Sequence, residues 1–176
     1  MIETPRLVLR RFREEDREPF AAINGDPRVS DWLGGPIDRA ASDRTLDRIN
    51  AEIDELGWGL WAAELKAGGR LIGFIGLAPV EAGALPVGPA IEMGWRLSPD
   101  TWGQGLATEG AKAALDWAFE HIDAPEFIAF TAATNVQSQA VMRKIGMVAD
   151  PSRDFDHPRL APDHPLNRHV VYVARR

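Results

Sequence analysis

From Arg6 to Phe12 (RLVLRRF) apolar and basic residues alternate at period two, which puts Leu7 and Leu9 on one face of a half-buried strand. The segment EEDREPFAAIN then opens with acidic residues, as a helix N-terminus prefers, and Gly25 and Pro27 stop it. Glycine and proline make a loop of Ser30–Pro36. Asp38–Leu56 reads as a helix, with Leu46, Ile49, Ile53 and Leu56 inward at spacings of three and four and Gly57 as its stop. Trp58–Leu65 and Arg70–Val80, joined by KAGG, form a hairpin, and Gly88–Pro99 is the next strand. Leu106–Ile122 wants to be helical, with Ala107, Ala111, Ala114 and Ala118 along one face at spacings of four, three and four. Pro125–Ala132 is a short apolar strand. A helix follows between Asn135 and Gly146, and RHVVYVARR is the last strand.

The resulting order is β-α-α-β-β-β-α-β-α-β-β. Strands dominate the first half and strand–helix alternation the second, which predicts an α/β (α+β) fold with a mixed sheet covered by helices on both faces. A length of 176 residues suits one domain, 1–176, and no repeat or low-complexity tract interrupts it.

Composition narrows the chemistry. With 45% apolar and 26% charged residues the chain has the ordinary globular mix. The absence of cysteine removes disulfide scaffolds, thiol nucleophiles and most structural zinc sites. No leader-like basic-then-apolar segment and no stretch of about 18 apolar residues appears, so a cytoplasmic protein with no membrane partner is expected. A net charge of -6 argues against a general attraction to nucleic acid, so an anionic ligand has to be held locally.

One place has the means to do so. In SPDTWGQGLATEG, Gly103 and Gly105 stand between a strand and a helix, where backbone N–H groups converge on an anion and the helix dipole adds to the attraction; the alternative is a tight turn and nothing more. No P-loop string exists, and Thr108 stands where a dinucleotide fingerprint needs its third glycine.

The wider stretch EMGWRLSPDTWGQGLATEGAKA resembles the acyl-CoA loop of the GNAT superfamily of N-acetyltransferases. Its pattern is Gln or Arg, two residues, Gly, one residue, then Gly or Ala; Trp102, Gly105 and Ala107 fill those places, the first with a departure. That tryptophan, and MIETPRLVLRRF at the start of the chain, are similar to the branch containing the bacterial ribosomal-protein N-acetyltransferases. The resemblance implies a mostly antiparallel sheet of about seven strands with a splayed central pair. It implies acetyl-CoA as co-substrate; no metal is expected, since the chain lacks cysteine and shows no trusted zinc spacing. The pyrophosphate would lie on the backbone of Trp102, Gly103, Gln104, Gly105, Leu106, Ala107 and Thr108, and the pantetheine arm along the backbone of Trp95 and Leu97. Lys112, Arg143 and Lys144 are the nearest cations in sequence. The expected reaction is direct attack by a primary amine, on a small molecule or a peptide, with a non-catalytic acyl-CoA-binding module as the alternative. Monomer and homodimer both stay open.

NVQSQAVMRKIGM resembles the next helix of the family through Asn135, Ser138, Lys144 and Gly146, but Met142 takes the place of the tyrosine that commonly protonates the departing thiolate. Ser138 inherits that role by resemblance, as a hydrogen-bond donor to sulfur, or else bonds a nearby carbonyl; Asn135 either bonds the pantetheine or only caps the helix. Attack needs a neutral amine, hence a proton acceptor. Glu92, within an otherwise apolar strand, is the candidate, unless it faces solvent or an ion-pair partner. Asp154–His169 carries three histidines and three aspartates at no trusted zinc spacing, and suits a loop covering the acceptor site opposite Ser30–Gly35. Trp32 and Trp58 are then candidate acceptor contacts.

Overall fold

The period-two segments pair into one sheet in the computed structural model, which describes residues 1–176. Nine strands take part: β1 (Ile2–Glu3), β2 (Leu7–Arg10), β3 (Leu60–Leu65), β4 (Leu71–Val80), β5 (Ala90–Leu97), β6 (Glu126–Ala132), β7 (Val148–Ala149), β8 (Phe155–Asp156) and β9 (Arg168–Arg175). The helices are α1 (Arg17–Gly25), α2 (Pro27–Ser30), α3 (Arg39–Leu56), α4 (Leu106–His121) and α5 (Val136–Lys144). Six of these strands run four residues or more, and the two-residue strands β1, β7 and β8, added at β2 and β9, bring the count past the seven expected.

Sheet order is β1-β2-β3-β4-β5-β6-β9-β7, with β8 also on β9. Every pairing is antiparallel except β5 with β6, which is parallel and registers at the single pair Glu92–Ile128. Past that pair the two strands part, and the sheet opens a wedge at its centre.

Strand alternation divides the core between two faces. Leu60, Ala62 and Phe74 face α1 and α3, where they meet Phe20, Leu46 and Ile49. Trp61, Ala63, Ile75, Met93 and Leu97 face the other way, toward α4 and α5. Each Leu, Ile or Phe so buried is worth about 1.5–3 kcal/mol over leaving it exposed. Ala111, Ala114 and Ala118 of the predicted stripe are fully buried, while Ala107, in the first turn, is half-buried. Gly110 brings the helix closer still, since a Cβ there would run into the ends of Ile75 and Leu7.

Two expectations need correction. The inward stripe of α3 ends early: Leu46 and Ile49 are buried, but Leu56 is 39% exposed because the last turn runs past the sheet. Residues 30–36, expected as an irregular loop, begin with the end of α2 and a 3-10 turn over Asp31–Leu33, after Asp26 caps α2 by accepting from the Arg28 N–H. No helix is long and apolar enough to cross a membrane.

Candidate active site

The central wedge is the mouth of a cavity of about 740 Å³ that runs between β5, β6, the N-termini of α4 and α5, and the α2 region. At one end lies the glycine loop. Gly103 and Gly105 have φ of 75° and 78°, a left-handed conformation that carries no steric cost only for glycine. Two such residues in three turn the chain sharply from Trp102 into α4, whose N-cap, Gly105, offers no side-chain cap. Consequently no backbone N–H from Gly103 to Thr108 has an acceptor within the protein. Six consecutive donors at the positive end of a 16-residue helix form an anion cradle.

The loop is braced from two sides. Trp102 Nε1 donates to the Leu97 carbonyl at 2.8 Å, tying the loop to the end of β5. Arg6 Nη1 donates to the Gln104 carbonyl at 2.9 Å, while Arg6 Nε, the Arg6 backbone N–H and Thr4 Oγ1 donate to the Glu109 carboxylate at 2.6, 2.8 and 2.6 Å. Burial works against that carboxylate, yet these hydrogen bonds prevail and hold Glu109 below the usual carboxylate range. Glu109 escaped the sequence analysis: an acidic side chain in the first turn of a helix that opens with unpaired amides makes sense only once Arg6, 103 residues away, neutralises it.

Along the wedge, Ser98 N–H donates to the Ile72 carbonyl, so ladder parity turns the backbone of Glu92, Gly94 and Arg96 toward β4 and that of Met93, Trp95 and Leu97 toward the gap. Trp95 thus offers free backbone groups to a ligand lying there. The Leu97 carbonyl does not, being taken by Trp102.

At the far end, β5 and α5 bring Glu92 and Ser138 onto one cavity. Glu92 is largely withdrawn from solvent and has no ion-pair partner; desolvation pushes its carboxyl up to about 8. Ser138 N–H donates to Asn135 Oδ1 at 3.1 Å, so Asn135 is the N-cap of α5, while Ser138 Oγ bonds no protein atom and faces the cavity. Met142 is buried.

Other candidates separate. Trp32, 39% exposed, lines the cavity beside Val29 and Leu33, whereas Trp58 packs against the α4-side core and stays outside it. Gln104 turns its side chain to the Asp100 carbonyl, leaving only its backbone to the cradle. Of the three cations, Lys144 lines the cavity; Lys112 pairs with Asp116, and Arg143 donates to Tyr172 Oη at 2.8 Å. His169 reaches the cavity wall, and Leu160 of the same loop comes within 3.9 Å of a Cβ placed on Gly34, so the 154–169 loop does face the 30–36 segment.

Comparison with known proteins leads to the same architecture. An acetyltransferase of Agrobacterium tumefaciens superposes with a TM-score of 0.79 at 28% identity, over 99% of this chain and 94% of that one. A RimL ribosomal L7/L12 α-N-protein acetyltransferase, solved with coenzyme A, shares the fold at a TM-score of 0.76 and 14% identity, over 98% and 95% of the two chains. In sequence, the FsC-acetyl coenzyme A-N(2)-transacetylase of Aspergillus fumigatus is 34% identical over 153 residues, 83% of this chain but only 64% of that protein's length. The model of the acetyltransferase (GNAT) domain matches residues 6–148, which take in the bracing arginine, the glycine loop and α5. With the splayed strand pair and the amide cradle both inside that match, the chain belongs to the GNAT acetyltransferase family.

Proposed function

We propose that the protein transfers an acetyl group from acetyl-CoA to a primary amine by direct attack. The observation that carries this is a run of six unpaired backbone N–H groups, five of them on residues that line the same cavity as Glu92 and Ser138. The residues present fit the co-substrate. Gly103–Thr108 would hold the pyrophosphate, Lys144 would add positive charge, and the backbone of Trp95 would run beside the pantetheine arm. When bound, acetyl-CoA supplies an activated acyl thioester.

The chain's own groups handle protons and position. Glu92, with its carboxyl near 8, is poised to take a proton from an incoming ammonium, directly or through one water, because its acidity approaches that of the amine it serves. Ser138 Oγ, free of protein partners, donates a hydrogen bond to the sulfur as the nitrogen–acyl bond forms and the sulfur–acyl bond breaks. Trp32 and Phe74 line the cavity and would help to position the acceptor beside the thioester. The named acceptors of relatives, among them a protein N-terminus and, in a fold neighbour from Vibrio cholerae, spermidine, support an amine as the class.

Two measurements test this. Acetyl-CoA should raise the melting temperature where ATP and NAD do not, since only a true ligand stabilises by mass action. A screen for free thiol against a panel of amines should find acceptors, with turnover reduced by Ser138→Ala. Stabilisation by ATP alone would defeat the proposal; acetyl-CoA binding with no thiol released from any amine would favour the non-catalytic acyl-CoA-binding module.

A further inference from the structure

Two arginines are withdrawn into the sheet, and the protein treats them differently. Arg10 is clamped by Asp16 and Glu64, each at 2.6 Å, as a buried cation ordinarily is. Arg96 on β5 has no carboxylate partner. Its Nη1 donates to Asn24 Oδ1 at 2.7 Å, and its guanidinium lies over the Phe74 ring, 5.1 Å from the centroid. Asn24 is fully buried on α1, and its amide donates in turn to Ser42 Oγ of α3 at 2.8 Å, also fully buried. Three elements therefore converge to fix the direction of one guanidinium, whose remaining donors have no protein acceptor and open on the cavity. Desolvation lowers its pKa to about 10, a cost that no carboxylate offsets. Fixing a cation in this way without an anion fits a side chain whose partner arrives with a ligand.

The ligand in question is the acceptor. Arg96 shares a face of β5 with Glu92 and Gly94, the face toward α1 and α3, whereas α4 and its amide cradle flank the other. Glu92 and Arg96 are four residues apart, on the order of 13 Å between Cα atoms along a strand, which is too far for them to pair with each other. Gly94 between them leaves a floor without a side chain, above which Leu60 stands 3.4 Å from the place a Cβ would take.

We propose that Arg96 determines acceptor specificity by binding an anionic group, a carboxylate in the first instance, so that the protein acetylates amines bearing a carboxylate several bonds from the attacked nitrogen. This rests on the acetyltransferase function proposed above. The probes are matched pairs: ε-aminocaproate against its carboxamide, and glycylglycine against its amide. For the wild type, kcat/KM should favour the carboxylate member by about 10- to 100-fold, as for a charge-assisted hydrogen bond in a partly desolvated site. In Arg96→Met the preference should collapse to about one with the KM for acetyl-CoA unchanged. Arg96→Lys should recover part of it as a point charge.

Equal rates for both members in the wild type, or an undiminished preference in a folded Arg96→Met, would overturn the assignment. A rise in the KM for acetyl-CoA with acceptor preference intact would overturn it too, by giving Arg96 to the phosphates. If Arg96→Met does not fold, the comparison of Arg96→Lys with wild type decides between the same outcomes. Failure of the acetyltransferase function itself would look different, with no thiol released from any member of either pair.

Discussion

Glu92 should cost the protein stability, and by an amount that depends on pH. The perturbation is Glu92→Gln, which replaces the carboxyl by a neutral group of the same shape. In the folded protein the carboxyl titrates near 8; in the unfolded chain it returns to 4.5. Between these values the folded state keeps a proton that the unfolded state has given up, so stability falls as pH rises through the window and levels off above it. At ~1.36 kcal/mol per pH unit the gap amounts to about 5 kcal/mol in full and about 3 kcal/mol at pH 7. Water in the cavity takes back part of this, leaving on the order of 2–4 kcal/mol above pH 8. The assay is thermal unfolding of ligand-free wild type and Glu92→Gln from pH 5 to 9. The two should melt together near pH 5 and separate steadily, with the variant about 5–10 °C higher at the alkaline end. Acetyl transfer should meanwhile drop about a hundredfold or more through loss of the proposed proton acceptor. A difference in melting temperature that does not change with pH would refute the reasoning, because it would mean that Glu92 titrates like an exposed carboxylate.

Three further outcomes test the architecture. Gly110→Val should lower stability by about 1–3 kcal/mol in chemical denaturation, since its side chain would press on Ile75 and Leu7 and lift α4 from the sheet. Trp102→Phe keeps the ring but loses the bond to the Leu97 carbonyl; calorimetry should record acetyl-CoA binding weakened by about threefold to tenfold, the worth of one hydrogen bond. Glu109→Gln removes a negative charge beside the proposed phosphate site and should nonetheless weaken acetyl-CoA binding, because Arg6 and Thr4 lose their anchor; tighter binding would show that bare charge, not bracing, sets the affinity.

The parts of this molecule legible in its sequence are those whose causes are local. Alanines at helical spacing marked the buried face of α4, and two glycines before it marked the left-handed turn, because periodicity and backbone sterics act within a few residues. The strands β1, β7 and β8 left no such mark: two residues carry no period, and their pairing is set by β2 and β9. Trp58 looked like a site residue because an aromatic beside a strand has no address until the strands are paired. Arg96 and Glu109 were opaque for the same reason on a larger scale, since what distinguishes them is a contact made, or left unmade, across 72 and 103 residues of chain.

The clasp of Arg6 and Thr4 on α4 reaches beyond the loop it steadies. β1 pairs only with β2 at the rim of the sheet, where local opening costs least. Its route into the fold passes through Thr4 and Arg6, which end on Glu109 and Gln104. A ligand seated on the neighbouring amides therefore also favours the closed edge, and by reciprocity the closed edge favours the ligand. Amide hydrogens of Ile2–Leu7 should exchange more slowly as the cradle fills, although nothing in that segment need touch what fills it.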